Sequence, residues 1–276
     1  MPRFDRITDA DHAAFWADGY VFKRGYLTPE EIALARETIS ADPSIAAHVL
    51  ALNDTEGGST DLALWNHPSE DVFGAIARCE RVAGGAERLL GGGVYHYHSK
   101  LTMKRPGAGG RWEWHQDYGY WYQNGCLYPD MLSVAIALDP ATRENGCMQV
   151  LRGSHKLGRI EHGRVAGQTG ADMERVEEAM KALELVYCEM APGDALFFHS
   201  NTLHCSAANL SSTRRNLLIC CYNKATNNPY KKHHHPFYTP LPKLPAAAVP
   251  PAAANAPQRA PGPAGADPPT EGHRAA

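Results

Sequence analysis

Several things are missing from this chain, and each absence removes a class of explanation. No apolar run approaches the roughly 20 residues that a membrane-spanning helix needs, and the opening stretch MPRFDRITDADH holds no hydrophobic leader. The expectation is a cytoplasmic protein without a membrane partner. No run rich in lysine or arginine occurs either: the pairs Arg214-Arg215 and Lys231-Lys232 stand alone, and the formal net charge is -3. A nucleic-acid backbone is therefore not the expected partner. The seven cysteines are odd in number and form no Cys-x-x-Cys pair. Several lie inside apolar runs such as LICCY, which predicts reduced core thiols and excludes a disulfide frame or a zinc ribbon. No internal repeat is found.

What is present suffices for one large domain. In 276 residues, 43% are apolar, enough for a substantial core under a single β-rich domain with helical decoration. The part up to residue 93 reads as mainly helical. DADHAAFWADG stops at Gly19, Thr28 with Glu31 forms a capping box before EIALARETI, and EDVFGAIARCERVAGGAERLL follows a polar loop, NDTEGGST. YVFKRGYL alternates like a short strand. From residue 94 to 225 the period becomes alternating, with about eight strands expected, enough to close a barrel or a two-sheet roll. VYHYHSKLTMKRP is read with His96, His98, Lys100, Thr102 and Lys104 on one face, which must meet solvent or a wet cavity. The domain is expected to span residues 1–240. Residues 241–276 collapse into proline and alanine and are expected to be a disordered tail.

The chemistry points to RWEWHQDYGYW at residues 111–121. Read as a strand over 112–118, it sends His115 and Asp117 from one face, so that both can bind one metal ion. One imidazole and one carboxylate are two thirds of the facial set that suits non-haem Fe(II). The third ligand must come from a late strand, where His199 in LFFHSN and His204 in TLHCSA compete. After His204 the chain reads CSAANLSSTRRN, which is expected to place His204 and an arginine on neighbouring antiparallel strands; His199 has no such return. The fork of an arginine near such a site can pair with the distal carboxylate of a dicarboxylate whose other end chelates the metal. Arg214 and Arg215 are adjacent and point opposite ways, so only one can do this.

The ordered set His115-x-Asp117, Asn145-Gly146, Gly153-Ser154-His155, Pro192-Gly193-Asp194 and His204 with Arg215 eleven residues on resembles the phytanoyl-CoA dioxygenase (PhyH) family of Fe(II)/2-oxoglutarate-dependent oxygenases, over residues 10–240. WHQDYGYWYQNGC and LICCYNKATNNPY resemble the phytanoyl-CoA dioxygenase domain-containing subgroup in particular. The resemblance implies a double-stranded β-helix, a jelly-roll of cupin type. It implies Fe(II) held by His115, Asp117 and His204, 2-oxoglutarate held by Arg215, and O2 as the third participant. The same spacing selects His204 over His199 and Arg215 over Arg214. Thr102 matches a position that holds 2-oxoglutarate in a related hydroxylase, Trp121 an aromatic that lines its substrate site, and His96 a substrate contact. Lys100 or Lys104 is expected to reach the co-substrate or an acidic substrate. Tyr118, Tyr120 and Tyr122 either wall the substrate space or pack in the core.

The implied activity is hydroxylation of a small-molecule or acyl substrate with release of succinate and CO2. Related halogenases carry glycine or alanine in place of the carboxylate, and Asp117 is retained, which favours hydroxylation, desaturation or demethylation. A metal-retaining binding or sensing domain of the same fold is the alternative. Neither the substrate nor the oligomeric state follows from the sequence.

Overall fold

The computed structural model describes residues 6–246 except 48, 108–109 and 166. Its elements run α1 (Asp9–Asp18), β1 (Tyr20–Lys23), α2 (Pro29–Ala41), α3 (Pro43–Ala47), β2 (Leu50–Asn53), β3 (Ser59–Trp65), α4 (Val72–Arg78), α5 (Val82–Leu90), β4 (Val94–Lys104) and β5 (Trp112–His115). They continue with α6 (Asp117–Gln123), β6 (Met131–Ala137), β7 (Met148–Leu151), β8 (His162–Val165), β9 (Gln168–Ala171), α7 (Met173–Ala182), β10 (Leu185–Cys188), β11 (Ala195–His199), β12 (His204–Ser206) and β13 (Arg215–Lys224).

Two antiparallel sheets carry the site. The larger has the order β1-β11-β6-β13-β4-β3-β2 and the smaller β10-β7-β12-β5. The inner faces enclose Tyr95, Tyr97, Met131, Ala135, Val150 and Ile219, while the outer face of the large sheet, with Val134, Phe197 and Leu218, packs under α1, α4 and α5 through Phe15, Phe73, Ile76 and Leu89. Central strand β6 is buried on both faces, which explains its unbroken apolar run. This is the expected double-stranded β-helix with flanking helices.

The expected capping box forms: Thr28 accepts the Glu31 N–H and the Glu31 side chain accepts the Thr28 N–H. Gly19 ends α1 at φ 87°. A Cβ there would lie 2.5 Å from the His155 ring, so both conformation and close approach require glycine. His155 is thus a packing residue beneath α1, its Nε2 3.2 Å from the Trp16 carbonyl.

Four expectations need correction. The mainly helical part before residue 94 supplies, besides the expected short strand β1, the unexpected strands β2 and β3 to the large sheet; NDTEGGST is the turn and strand ends of the β2–β3 hairpin. The strand expected over 112–118 ends at His115, and helix α6 begins at Asp117. Asp117, Tyr118 and Trp121 are buried at helical spacing, a pattern that a short aromatic run also fits when read as a strand. His204 and Arg215 do not lie on neighbouring strands. β12 pairs with β5 and β7, whereas β13 pairs with β4 and β6, so residues 207–214 cross between sheets and the two side chains face one another across the interior.

The fourth concerns β4. His98 pairs with Cys221 and His96 with Tyr222, which leaves Tyr97 as the extra residue of a bulge. The bulge inverts the alternation. Lys100 and Thr102 face the interior opposite Ile219 and Leu217, but His96 turns outward against Tyr222 and is held by Ser99 Oγ at 2.7 Å.

Most of the expected tail, residues 247–276, lies outside the described residues. Its first six residues are placed: Leu241 packs on the outer core, and Leu244 exchanges backbone hydrogen bonds with Arg78 and Glu80. A chain ending at Tyr238 is expected to melt several degrees below one ending at Ala246, since two net hydrogen bonds contribute about 1–3 kcal/mol and each kcal/mol moves Tm by about 2–4 °C at this size. Equal melting temperatures by calorimetry would show that this contact is idle.

Candidate metal and co-substrate site

His115 and His204 are register partners on β5 and β12, with ring centroids 4.1 Å apart. Each ring is oriented from behind by a backbone carbonyl two residues earlier: His115 Nδ1 lies 2.7 Å from the Glu113 oxygen and His204 Nδ1 2.9 Å from the Thr202 oxygen. A carbonyl only accepts, so Nδ1 carries the proton and Nε2 presents a lone pair. Both imidazoles are held neutral, His115 by burial and then by the His204 ring, His204 by burial.

Asp117 stands at the first position of α6, with Oδ1 4.0 Å from Nε2 of each histidine. Burial alone would raise its carboxyl, but the Lys100 ammonium at 3.5 Å and the Ser133 hydroxyl outweigh that and hold it at about 2. Ser133 Oγ on β6 donates to Oδ2 at 2.6 Å and leaves Oδ1 turned toward the histidines. Between the two ligands, Gln116 points the other way. Its side chain donates to the carbonyls of Gly158 and Asn201 and accepts the Ile160 N–H, which fastens β5 and α6 to the loops before β8 and β12.

The donor atoms of His115, Asp117 and His204 lie within 4.8 Å of one another, and no other such cluster occurs among the described residues. Two neutral imidazoles and one ionised carboxylate, each oriented by a second partner, fit a divalent first-row metal such as iron.

Arg215 lies across the same interior, 1% exposed. Its Nη1 donates to Thr102 Oγ1 at 3.2 Å, but Nε and Nη2 are buried with no partner. Burial lowers its pKa to about 10, so at neutral pH it remains a cation whose fork lacks an anion. One cavity joins it to the imidazoles, lined by Lys100, Thr102, His115, His204, Ser206 and Arg215. Arg214 points outward, half exposed, beside Asp139. His199 lies on the outer face of β11 against Phe15 and Trp16 and takes no part.

The remaining expected residues sit apart from this cavity. Lys104 is fully buried but reaches the small sheet, bonding Ser206 and Ala207. Tyr118 donates its hydroxyl to the Cys126 carbonyl and packs in the core. Trp121 packs edge-on to Tyr97 and His98 at 5.4 and 5.7 Å. His96 faces away because of the bulge.

Sequence reasoning missed Ser133, concealed in an apolar strand, and Ser206, two residues beyond His204. Tyr120, expected either to wall the substrate space or to pack in the core, stands with its ring 5.8 Å from His115. His235, in the run His233-His234-His235, is buried and stacked on His98 at 4.8 Å. Because Ser133 orients the carboxylate, Ser133→Ala is expected to weaken Fe(II) binding by about 10–100-fold. Anaerobic titration of the variant checks this, and wild-type affinity would contradict it.

Residues 15–217 match the family model of phytanoyl-CoA dioxygenase (PhyH). The chain is similar to L-proline trans-4-hydroxylase of Streptomyces griseoviridis, 34% identical over 199 residues that cover 66% of this chain and 74% of that protein. It is also similar to ectoine dioxygenase of Stutzerimonas stutzeri, 27% identical over 234 residues covering 77% and 76%. In fold it resembles EctD from S. alaskensis crystallised with 2-oxoglutarate and 5-hydroxyectoine, TM-score 0.73 at 23% identity over 89% of this chain and 90% of that one. The epimerase SnoN with Fe3+, α-ketoglutarate and nogalamycin RO shares the fold at TM-score 0.65 and 23% identity over 80% and 84%. With a match that spans both sheets, the chain belongs to the phytanoyl-CoA dioxygenase family and is an Fe(II)- and 2-oxoglutarate-dependent dioxygenase.

Proposed function

We propose that His115, Asp117 and His204 hold the iron, that Arg215 with Thr102 anchors the distal carboxylate of 2-oxoglutarate, and that the enzyme hydroxylates a small amino-acid-like molecule. The observation that carries this reading is the buried fork of Arg215, with Nε and Nη2 unpartnered on a cavity that also reaches both imidazoles. A buried guanidinium without acceptors is costly, and a carboxylate supplies what it lacks.

The iron, when bound, supplies the O2 chemistry that converts 2-oxoglutarate to succinate and CO2 and places a hydroxyl on an unactivated carbon. The chain's own residues supply position and exclusion. Lys100, raised in pKa because Asp117 outweighs the effect of burial, keeps the carboxylate ionised. Tyr120 donates to the Thr169 carbonyl at 2.6 Å and closes the space beside His115. Trp121, one helical turn beyond Asp117, is assigned to the substrate side together with His98, the β4 residue it packs against. Tyr118 is assigned to support of α6.

An amino-acid-like substrate is favoured because the similar hydroxylases act on proline and ectoine. The test is succinate release from 2-oxoglutarate under air with Fe(II), against a panel of free amino acids and ectoine. Stimulation by one member is expected. Binding of 2-oxoglutarate without decarboxylation under any condition would instead support a sensing domain, and indifference to 2-oxoglutarate would end the proposal.

A further inference from the structure

We propose that Lys104 is a positioning residue for the co-substrate, acting through Ser206 to make the cavity selective for a keto acid with a second carboxylate. This rests on the assignment of 2-oxoglutarate to Arg215.

Lys104 is 0% exposed and is the register partner of Arg215, so two cations lie side by side in the interior of the large sheet. Its Nζ reaches three acceptors and no donor: Ser206 Oγ at 2.7 Å, the Ser206 carbonyl at 3.4 Å and the Ala207 carbonyl. An ammonium has three protons for three acceptors, whereas a neutral amine has two and a lone pair left over. Burial and then the Arg215 guanidinium press its pKa down, so the charge is expensive unless an anion is near.

Ser206 lines the cavity, and Lys104 does not. With one lone pair of Ser206 Oγ taken by Lys104, the hydroxyl proton is free to donate, and no protein atom among the described residues accepts it. Thr102 repeats the arrangement: its oxygen accepts from Arg215, and its proton is left for the cavity. Two hydroxyls, each bonded to a buried cation, therefore line the same cavity as Arg215, whose Nε and Nη2 are unpartnered. These four donors share one cavity, which suits a carboxylate. Lys104 contributes twice, by fixing which way Ser206 donates and by adding positive potential behind Arg215.

The test is anaerobic calorimetry of the Mn(II)-loaded protein, titrated with 2-oxoglutarate and with pyruvate, which lacks the distal carboxylate. Lys104→Met is expected to weaken 2-oxoglutarate at least about tenfold and leave pyruvate unchanged, since only charge-assisted contacts to the far end are lost. Ser206→Ala is expected to show the same selectivity, and the double variant little more than either alone, because the two act as one unit. Equal weakening of both keto acids would mean a merely structural lysine, and no weakening would mean no role; either result overturns the proposal. If Lys104→Met does not fold, Ser206→Ala decides alone, with unaltered selectivity as the overturning result. Wild-type protein that does not prefer 2-oxoglutarate to pyruvate would refute the Arg215 assignment itself.

Discussion

Asp117→Ala is expected to reduce Fe(II)-dependent succinate release to background. Removing this side chain takes away the charged ligand of a three-ligand site, and it also leaves Lys100, 3.5 Å from the lost oxygen, as a buried cation beside the metal position. Both effects act against a divalent ion, so metal affinity and turnover should fall together. Asp117→Asn separates them. It keeps the shape and an acceptor oxygen but loses the charge, and it is expected to retain weak metal binding without restoring turnover. Wild-type activity in Asp117→Ala would end the assignment of the triad.

Arg215→Met is expected to raise the KM for 2-oxoglutarate by about 10–150-fold, the equivalent of the roughly 1.5–3 kcal/mol that hydrogen bonds to a charged group contribute. Methionine fills much of the space and removes the fork, so the result does not depend on a collapsed cavity. Arg215→Lys tests geometry: the charge stays, but a point charge cannot make the paired contacts of a guanidinium, and recovery should be partial. The effect should appear in the requirement for 2-oxoglutarate and not in that for the substrate. If KM is unchanged, the anchor lies elsewhere, with Lys100 the alternative cation that lines the same cavity.

How far the sequence could be read differs from element to element. That His115, Asp117 and His204 come together, with Arg215 on the same cavity, was legible because their joint spacing is rare, and the Pro192-Gly193-Asp194 turn because its residues suit only a turn. The structure gives that turn a purpose: Asp194 accepts from Gly25 N–H and Arg24 and ties the turn after β1 to the start of β11. The local form of the motif was not legible. A His-x-Asp pair on one strand face and a pair split by a strand-to-helix change both bring the side chains together, and the aromatic run after Asp117 carries strand and helix spacings at once. Nor does periodicity record which sheet a strand joins. His204 and Arg215 were expected side by side, yet the chain between them passes from one sheet to the other. The bulge at Tyr97 and His98 was beyond reach for a related reason, since one extra residue changes no residue type but reverses every assignment before it. That single residue turned His96 away from the site. Ser133 was hidden because a serine between leucine and valine in a strand reads as filler, and its worth appears only when Asp117 arrives from another element.

The central claim is that one metal ion and one keto acid meet between these two sheets. It is tested most directly by a crystal structure of the protein grown without oxygen in Mn(II) and 2-oxoglutarate, with the metal located by its anomalous signal. The predicted result is one ion bonded to His115 Nε2, Asp117 and His204 Nε2, with the far carboxylate of the keto acid on Arg215. Metal bound elsewhere, or a keto acid whose far end lies away from Arg215, would contradict it.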